Sequence, residues 1–245
     1  MGANAWVPAG PAAPGPEAPL AASPLAGEPW EPIGGRAKTL RTLLWIAMAL
    51  SLVAVVSDAF ELELLGRIES GQFVPDSEAN ANDVRQGVIG LLQVGLGLAT
   101  AVVFIMWFHR AYANVERLGA GPLRFGRGWA IGAWFVPILN LFRPKQIAND
   151  IWRGSDPSLP RPAGPGAWRD APIPGVLFGF WWFLWLVSGI ASGPGSFGGD
   201  SINELQMQST AFLVSDALGA GAAVLCVLVV SRITERQEQR ATAAA

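Results

Sequence analysis

Residues 128–142 read Gly128-Trp129-Ala130-Ile131-Gly132-Ala133-Trp134-Phe135-Val136-Pro137-Ile138-Leu139-Asn140-Leu141-Phe142, an apolar run without a charge and with Pro137 near its middle. Four longer apolar runs flank it, at 40–60, 88–108, 173–192 and 210–230. Each is about the 20 residues that cross a bilayer as a helix. Apart from Arg41 at the edge of the first, none of the four holds Lys or Arg. Helix is the reading for all four, because an open strand cannot satisfy its backbone in lipid and barrel alternation is absent.

Whether 128–142 crosses as well sets the threading, and the charges answer that. If it does not cross, 15 of the 17 basic residues fall on one side and only Arg67 and Arg85 lie opposite. If it crosses, everything after it changes side and the split becomes 7 against 10. The excess of Lys and Arg in cytoplasmic loops therefore favours four crossings with both termini cytoplasmic. Too short to span and apolar on all sides, the segment reads as re-entrant or docked in the cytoplasmic mouth of the bundle. Pro137 removes a helical hydrogen bond and predicts a kink or break. Asn140 is placed to cap a backbone group freed there.

Composition agrees with a membrane protein: 51% apolar residues and 15% charged, against about 25% charged in globular chains. The single cysteine, Cys226, excludes an intramolecular disulfide and a multi-thiolate zinc site. One histidine, His109, excludes a two-histidine metal motif. Residues 1–35 carry eight prolines among Ala and Gly. They read as a disordered cytoplasmic arm and not as a cleavable signal peptide. The membrane domain then covers 36–236, with helices at about 40–60, 84–118, 173–192 and 210–232, and 237–245 is a cytoplasmic tail. Residues 144–153, opening on Pro144 and stopped by Gly154, read as a short helix suited to the membrane surface. The second spanning helix continues past the bilayer to Leu118, where Gly119 and Gly121-Pro122 stop it.

Two strings are distinctive together. The first runs Trp107-Phe108-His109-Arg110-Ala111-Tyr112-Ala113-Asn114 to Leu118-Gly119. The second runs Gly128-Trp129 through Trp134-Phe135-Val136-Pro137 to Asn140, then Pro144 and Asp150-Ile151-Trp152. With them the chain resembles, over roughly 36–236, a bacterial membrane-protein family frequent in actinobacteria and named only as domain of unknown function 4328. The resemblance implies a membrane protein and carries no mechanism.

Ionisable residues inside apolar runs are the first functional suspects, since each is expensive at mid-helix. Asp58 lies near the outer end of the first run, and Asp216 lies about 9 Å into the fourth at 1.5 Å per residue. In antiparallel helices both fall in the outer half of the bilayer, where they could share a polar pocket for a proton or cation. The plainer alternative makes Asp58 interfacial and Asp216 a hydrogen-bonding partner of a neighbouring helix. Trp107, Arg110 and Asn114 share one face of the second helix. Arg110 and Asn114 either bind a lipid headgroup or tie down the carbonyls of 128–142. The tryptophan-rich stretch 178–185 reads as lipid-facing bulk. Small residues such as Ser188 and Ser215 permit close helix packing, within one chain or between copies.

No phosphate-binding glycine loop, nucleophile elbow or paired histidines occur. The expectation is an all-α, four-crossing, non-enzymatic structural or interaction component of a bacterial cytoplasmic membrane, without cofactor or metal. The alternatives are a small transporter or channel subunit using the carboxylates, and a lipid-modifying enzyme acting through Arg110. Expected partners are anionic lipids, a further copy of the chain, or a protein reached by the Pro-rich arm or the cytoplasmic loop. Nucleic acid is not among them, since the basic residues are interrupted and membrane-proximal.

Overall fold

A computed structural model of the chain describes residues 27–164, 166–191, 193 and 201–243. Most of the Pro-rich arm, the glycine-rich stretch at 194–200 and the last two residues lie outside them. Among the described residues all regular structure is helical: α1 (Gly34–Glu69), α2 (Asp76–Arg117), α3 (Trp129–Gly132), α4 (Pro137–Asn140), α5 (Arg143–Gly154), α6 (Gly175–Ala191) and α7 (Ile202–Thr242).

Three helices, α1, α2 and α7, are long and apolar enough to cross a membrane. The fourth apolar helix, α6, has 17 residues, about 25 Å at 1.5 Å per residue. All three long helices overrun the boundaries expected from hydropathy, because apolar windows mark only the part lipid can cover. At the start of α2, Pro75 precedes a first turn bearing Asp76 and Glu78, where acidic groups favour the positive helix end. Eight residues ahead of its apolar run, α7 begins at a capping box in which Ser201 and Glu204 satisfy each other's backbone donors. Gly119, with φ of 71°, ends α2 as anticipated.

The α1–α7 pair forms the centre, with α2 packed on α1 and α6 on α7, while α2 and α6 scarcely touch. Ser215 Oγ donates to the Ser188 carbonyl at 2.9 Å, so those small residues pack α6 on α7 within one chain. In the most apolar window of α2 no residue is buried, and Leu91 is 76% exposed. Such a surface is far more apolar than water-facing helices show and is compatible with insertion in a membrane.

One end of the bundle gathers the basic residues. There the start of α1 and the ends of α2 and α7 meet through Glu31, Asn114 and Gln237. At the far end Gln206 donates to Glu69 at 2.9 Å and Arg67 pairs with Glu78. Segment 128–142 enters and returns at the basic end, since Arg127 lies 3.8 Å from Glu116 and Arg143 stacks on Phe125 and Trp129. It is not one kinked helix. Two single turns, α3 and α4, are separated at Val136, which is extended as a residue before proline must be. Pro137 therefore begins a turn instead of bending one.

Three boundaries or placements differ from the sequence reading. The arm does not run free to 35, since Ile33 is fully buried and Glu31 is hydrogen-bonded to α2. Nor is 237–245 a tail: Gln237 and Arg240 are fully buried on α7. The apolar face of α5 is turned into the bundle, burying Ile147 and Ile151, and Gly154 lets its backbone approach α2 beside Val115. Phe178, Trp181 and Trp182 face inward, not to lipid, because they pack on Trp134 and Trp152 from segments remote in sequence.

Candidate functional site

Asp58 and Asp216 line the same cavity, about 710 Å³ between α1, α2 and α7, at the end away from most of the basic residues. Turn by turn, Ser51, Ala54, Asp58 and Glu61 bring one stripe of α1 to it. Gln86 and Gln93 come from α2, and Ser209 and Asp216 from α7. These polar pairs repeat at i and i+7, close to two helical turns, which puts each pair on one face.

The amides hold the carboxylates. Gln93 Nε2 donates to Asp216 Oδ1 at 2.6 Å, and Gln86 Nε2 donates to Asp58 Oδ1 at 3.2 Å and to Glu61. Ser57 Oγ donates to Gln86 Oε1 at 3.1 Å, which fixes the amide's orientation. Asp58 is only 4% exposed, and its second oxygen, Oδ2, has no hydrogen-bond partner. Asp216 and Glu61 are near enough to act on Asp58 electrostatically. Arg85, the nearby cation, is turned to Ser57 and Asn82 and lines a separate cleft. None of the described residues lining the acidic chamber is basic.

Glu61, Gln86 and Gln93 were not singled out from the sequence. Glu61 falls just beyond the first apolar run and the two amides carry no charge, so no insertion penalty flagged them. The i, i+7 repetition against Ser51–Asp58 and Ser209–Asp216 was the available signal.

The other sequence candidates sit elsewhere. Arg110 is ion-paired with Glu31. Asn114 is fully buried, donating to the Glu31 carbonyl at 2.8 Å and to Gln237 Oε1 at 3.2 Å. Neither ties down 128–142; the residues they hold are the end of the arm and α7. Asn140 Oδ1 is buried without a hydrogen-bond partner, so it caps nothing through that atom. Trp134, just before the break at Pro137, is edge-on to Phe104, Trp182 and Trp185 with ring centroids 5.3, 6.0 and 5.5 Å away. That cluster closes the basic side of the bundle between α2 and α6.

Beneath it lies a polar knot. Gln237 Nε2 donates to the Ala111 carbonyl at 2.7 Å and to Ser155 Oγ at 3.1 Å. Arg236 stacks on Trp152 and reaches Asp156 at 2.6 Å. Burial alone would raise the Asp156 carboxyl, but hydrogen bonds from Ser158 and the charges of Arg236 and Arg240 hold it below the ordinary range.

Asp150 on α5 behaves oppositely. Burial pushes its carboxyl from the ordinary 3.8 up to about 6, against the pull of Arg124, Arg153 and Arg169. Between those two values the folded chain holds a proton that the unfolded chain has released. Stability therefore falls as pH rises through that window and stays lower above it. Asp150→Asn should remove this slope and gain in stability over the wild type as pH rises through the window. Thermal melts of both proteins from pH 4 to 8 check it; parallel pH profiles would refute it.

A family model described as Domain of unknown function (DUF4328) matches residues 71–235, two thirds of the chain. The chain belongs to this family. The match is narrower than the resemblance over 36–236, and in this DUF4328 protein α1, with Asp58 and Glu61, lies ahead of it. Gln86, Gln93 and Asp216 lie within it. No curated protein and no solved structure matches the chain.

Proposed function

We propose that this DUF4328 protein crosses a bacterial cytoplasmic membrane four times, with both termini cytoplasmic, and binds a small organic cation in its acidic chamber. The topology is supported by the 15-to-2 placement of basic residues and by α6, whose 17 residues reach the lower end of spanning lengths. One observation carries the binding reading: Asp58, Glu61 and Asp216 converge on one cavity, and a buried oxygen of Asp58 is left without a partner. Intramembrane carboxylates kept at such expense are functional by default. An organic cation suits the chamber better than a metal, since Asp58, Glu61 and Asp216 line one cavity without closing into a group that could hold a metal ion.

The aromatic cluster at the basic end favours an occluded binding site over an open channel. The reading is non-enzymatic: a receptor or a transporter subunit. A purely structural or interaction component is the reading that returns if the chamber binds nothing.

The full chain in nanodiscs, titrated with tetramethylammonium at constant ionic strength, tests this. A bound cation raises the unfolding midpoint, by an amount that grows with the logarithm of its concentration above Kd. The shift should be present in the wild type and absent in Asp58→Asn/Asp216→Asn, whose shape is unchanged. Equal shifts in both proteins, or none in the wild type, would sink the cation reading.

A further inference from the structure

The acidic chamber does not end at its carboxylates. Ala47 and Gly97 line it and also line a second cavity of about 430 Å³ nearer the basic end. This second cavity occupies the gap left because α2 and α6 scarcely touch. Phe104, Trp134, Phe135, Trp181 and Trp185 form much of its wall, and none of its described lining residues is charged. Phe135 is 71% exposed, so the cavity reaches the outside of the bundle. At the junction Gly97 is exposed and an added side chain would meet nothing within 4 Å, so there is room there for a larger residue.

We infer that the two cavities form one site for a cationic amphiphile, a single-chain aliphatic amine or quaternary ammonium with its head among the carboxylates and its tail against the aromatic wall. The inference rests on the reading of the acidic chamber as a cation site. It adds the apolar half of the ligand and a route of entry from the bilayer between α2 and α6. Polarity is segregated as such a molecule requires: three carboxylates and three amides at one end, mainly aromatic and aliphatic side chains at the other. Asp58 Oδ2 supplies an unpartnered acceptor for the N–H of an amine head and a buried negative charge for a quaternary one. Glu61 and Asp216 add negative charge beside it, while Arg85 is engaged by Ser57 and Asn82 outside the chamber. Each cavity lies within the range of about 300–1,000 Å³ common for small-molecule sites.

The test uses the full chain in phosphatidylcholine nanodiscs with dodecyltrimethylammonium carrying a diazirine at the chain end. Cross-links are mapped by mass spectrometry. In the wild type they should fall on Phe104, Trp181 and Trp185 and be competed by unmodified dodecyltrimethylammonium. Asp58→Asn/Asp216→Asn should lower that labelling by about tenfold or more, the loss expected for charge-assisted contacts. Gly97→Phe, which fills the junction, should lower it comparably yet keep the tetramethylammonium midpoint shift of the wild type. That retained shift also shows the variant is folded. Labelling unchanged by Gly97→Phe, or confined to the outward-facing Leu91, Leu98 and Val102, would overturn the amphiphile while the short-cation shift leaves the acidic chamber standing. Absence of the short-cation shift in the wild type would overturn both.

Discussion

Arg240→Met lowers the stability of the basic end by about 3 kcal/mol, because three carbonyls, that of Leu118 buried, lose their donor at once. Arg240 Nε and one terminal nitrogen donate to the Leu118 carbonyl at 3.1 and 3.0 Å. The other terminal nitrogen donates to Leu159 at 3.1 Å and to Asp156. Leu118 closes α2, and Asp156 and Leu159 belong to the loop after α5, so one guanidinium ties three chain segments together. Methionine fills similar space and offers no donor, leaving the buried Leu118 carbonyl unpaired and those of the half-buried Asp156 and Leu159 without their tie to α7. Arg240→Lys should recover only part of the loss, since an ammonium lacks the planar fork that reaches all three. Thermal unfolding in detergent, with hydrogen exchange at residues 118–120 and 156–161, measures this. A methionine variant within about 0.5 kcal/mol of wild type would show that the clasp is dispensable.

Gly154→Ala should cost about 3 kcal/mol, at the upper end of overpacking effects. A Cβ there would collide with Val115 Cγ1 where α5 crosses α2. Val115 is fully buried and β-branched, so it has no second rotamer to retreat into. Moving α5 away instead would open the contacts of Ile147 and Ile151, which are also fully buried. The pair is therefore coupled: Gly154→Ala/Val115→Ala should be more stable than Gly154→Ala alone, although Val115→Ala by itself leaves a cavity. A double-mutant cycle of unfolding midpoints checks this, and simple additivity would contradict the close approach.

The aromatic cluster shows why part of the architecture was legible and part was not. That 128–142 returns to the basic end could be read from charge placement alone, because carrying it to the far end would scatter the arginines over both ends. Its partners could not. Trp134 meets Trp182 and Trp185 across some fifty residues, and nothing in local periodicity distinguishes a tryptophan facing lipid from one facing a neighbour. Lipid and protein interior are both apolar, so hydropathy is silent on which side of α6 is inside.

The acidic chamber divides in the same way. Asp58 and Asp216 announced themselves by the expense of a charge in an apolar run. Glu61, Gln86 and Gln93 became part of the site only through the packing of α1, α2 and α7, which turns three unremarkable polar stripes toward one cavity. At the basic end Arg240 looked like an ordinary charge in a tail, yet it is buried against carbonyls some 80 to 120 residues away. Local chemistry was enough to place the apolar helices, the break at Pro137 and the stop at Gly119, because hydrophobicity, proline and glycine act within a few residues. Which polar groups face one another depended on contacts between distant segments, and those exist only once the helices have packed.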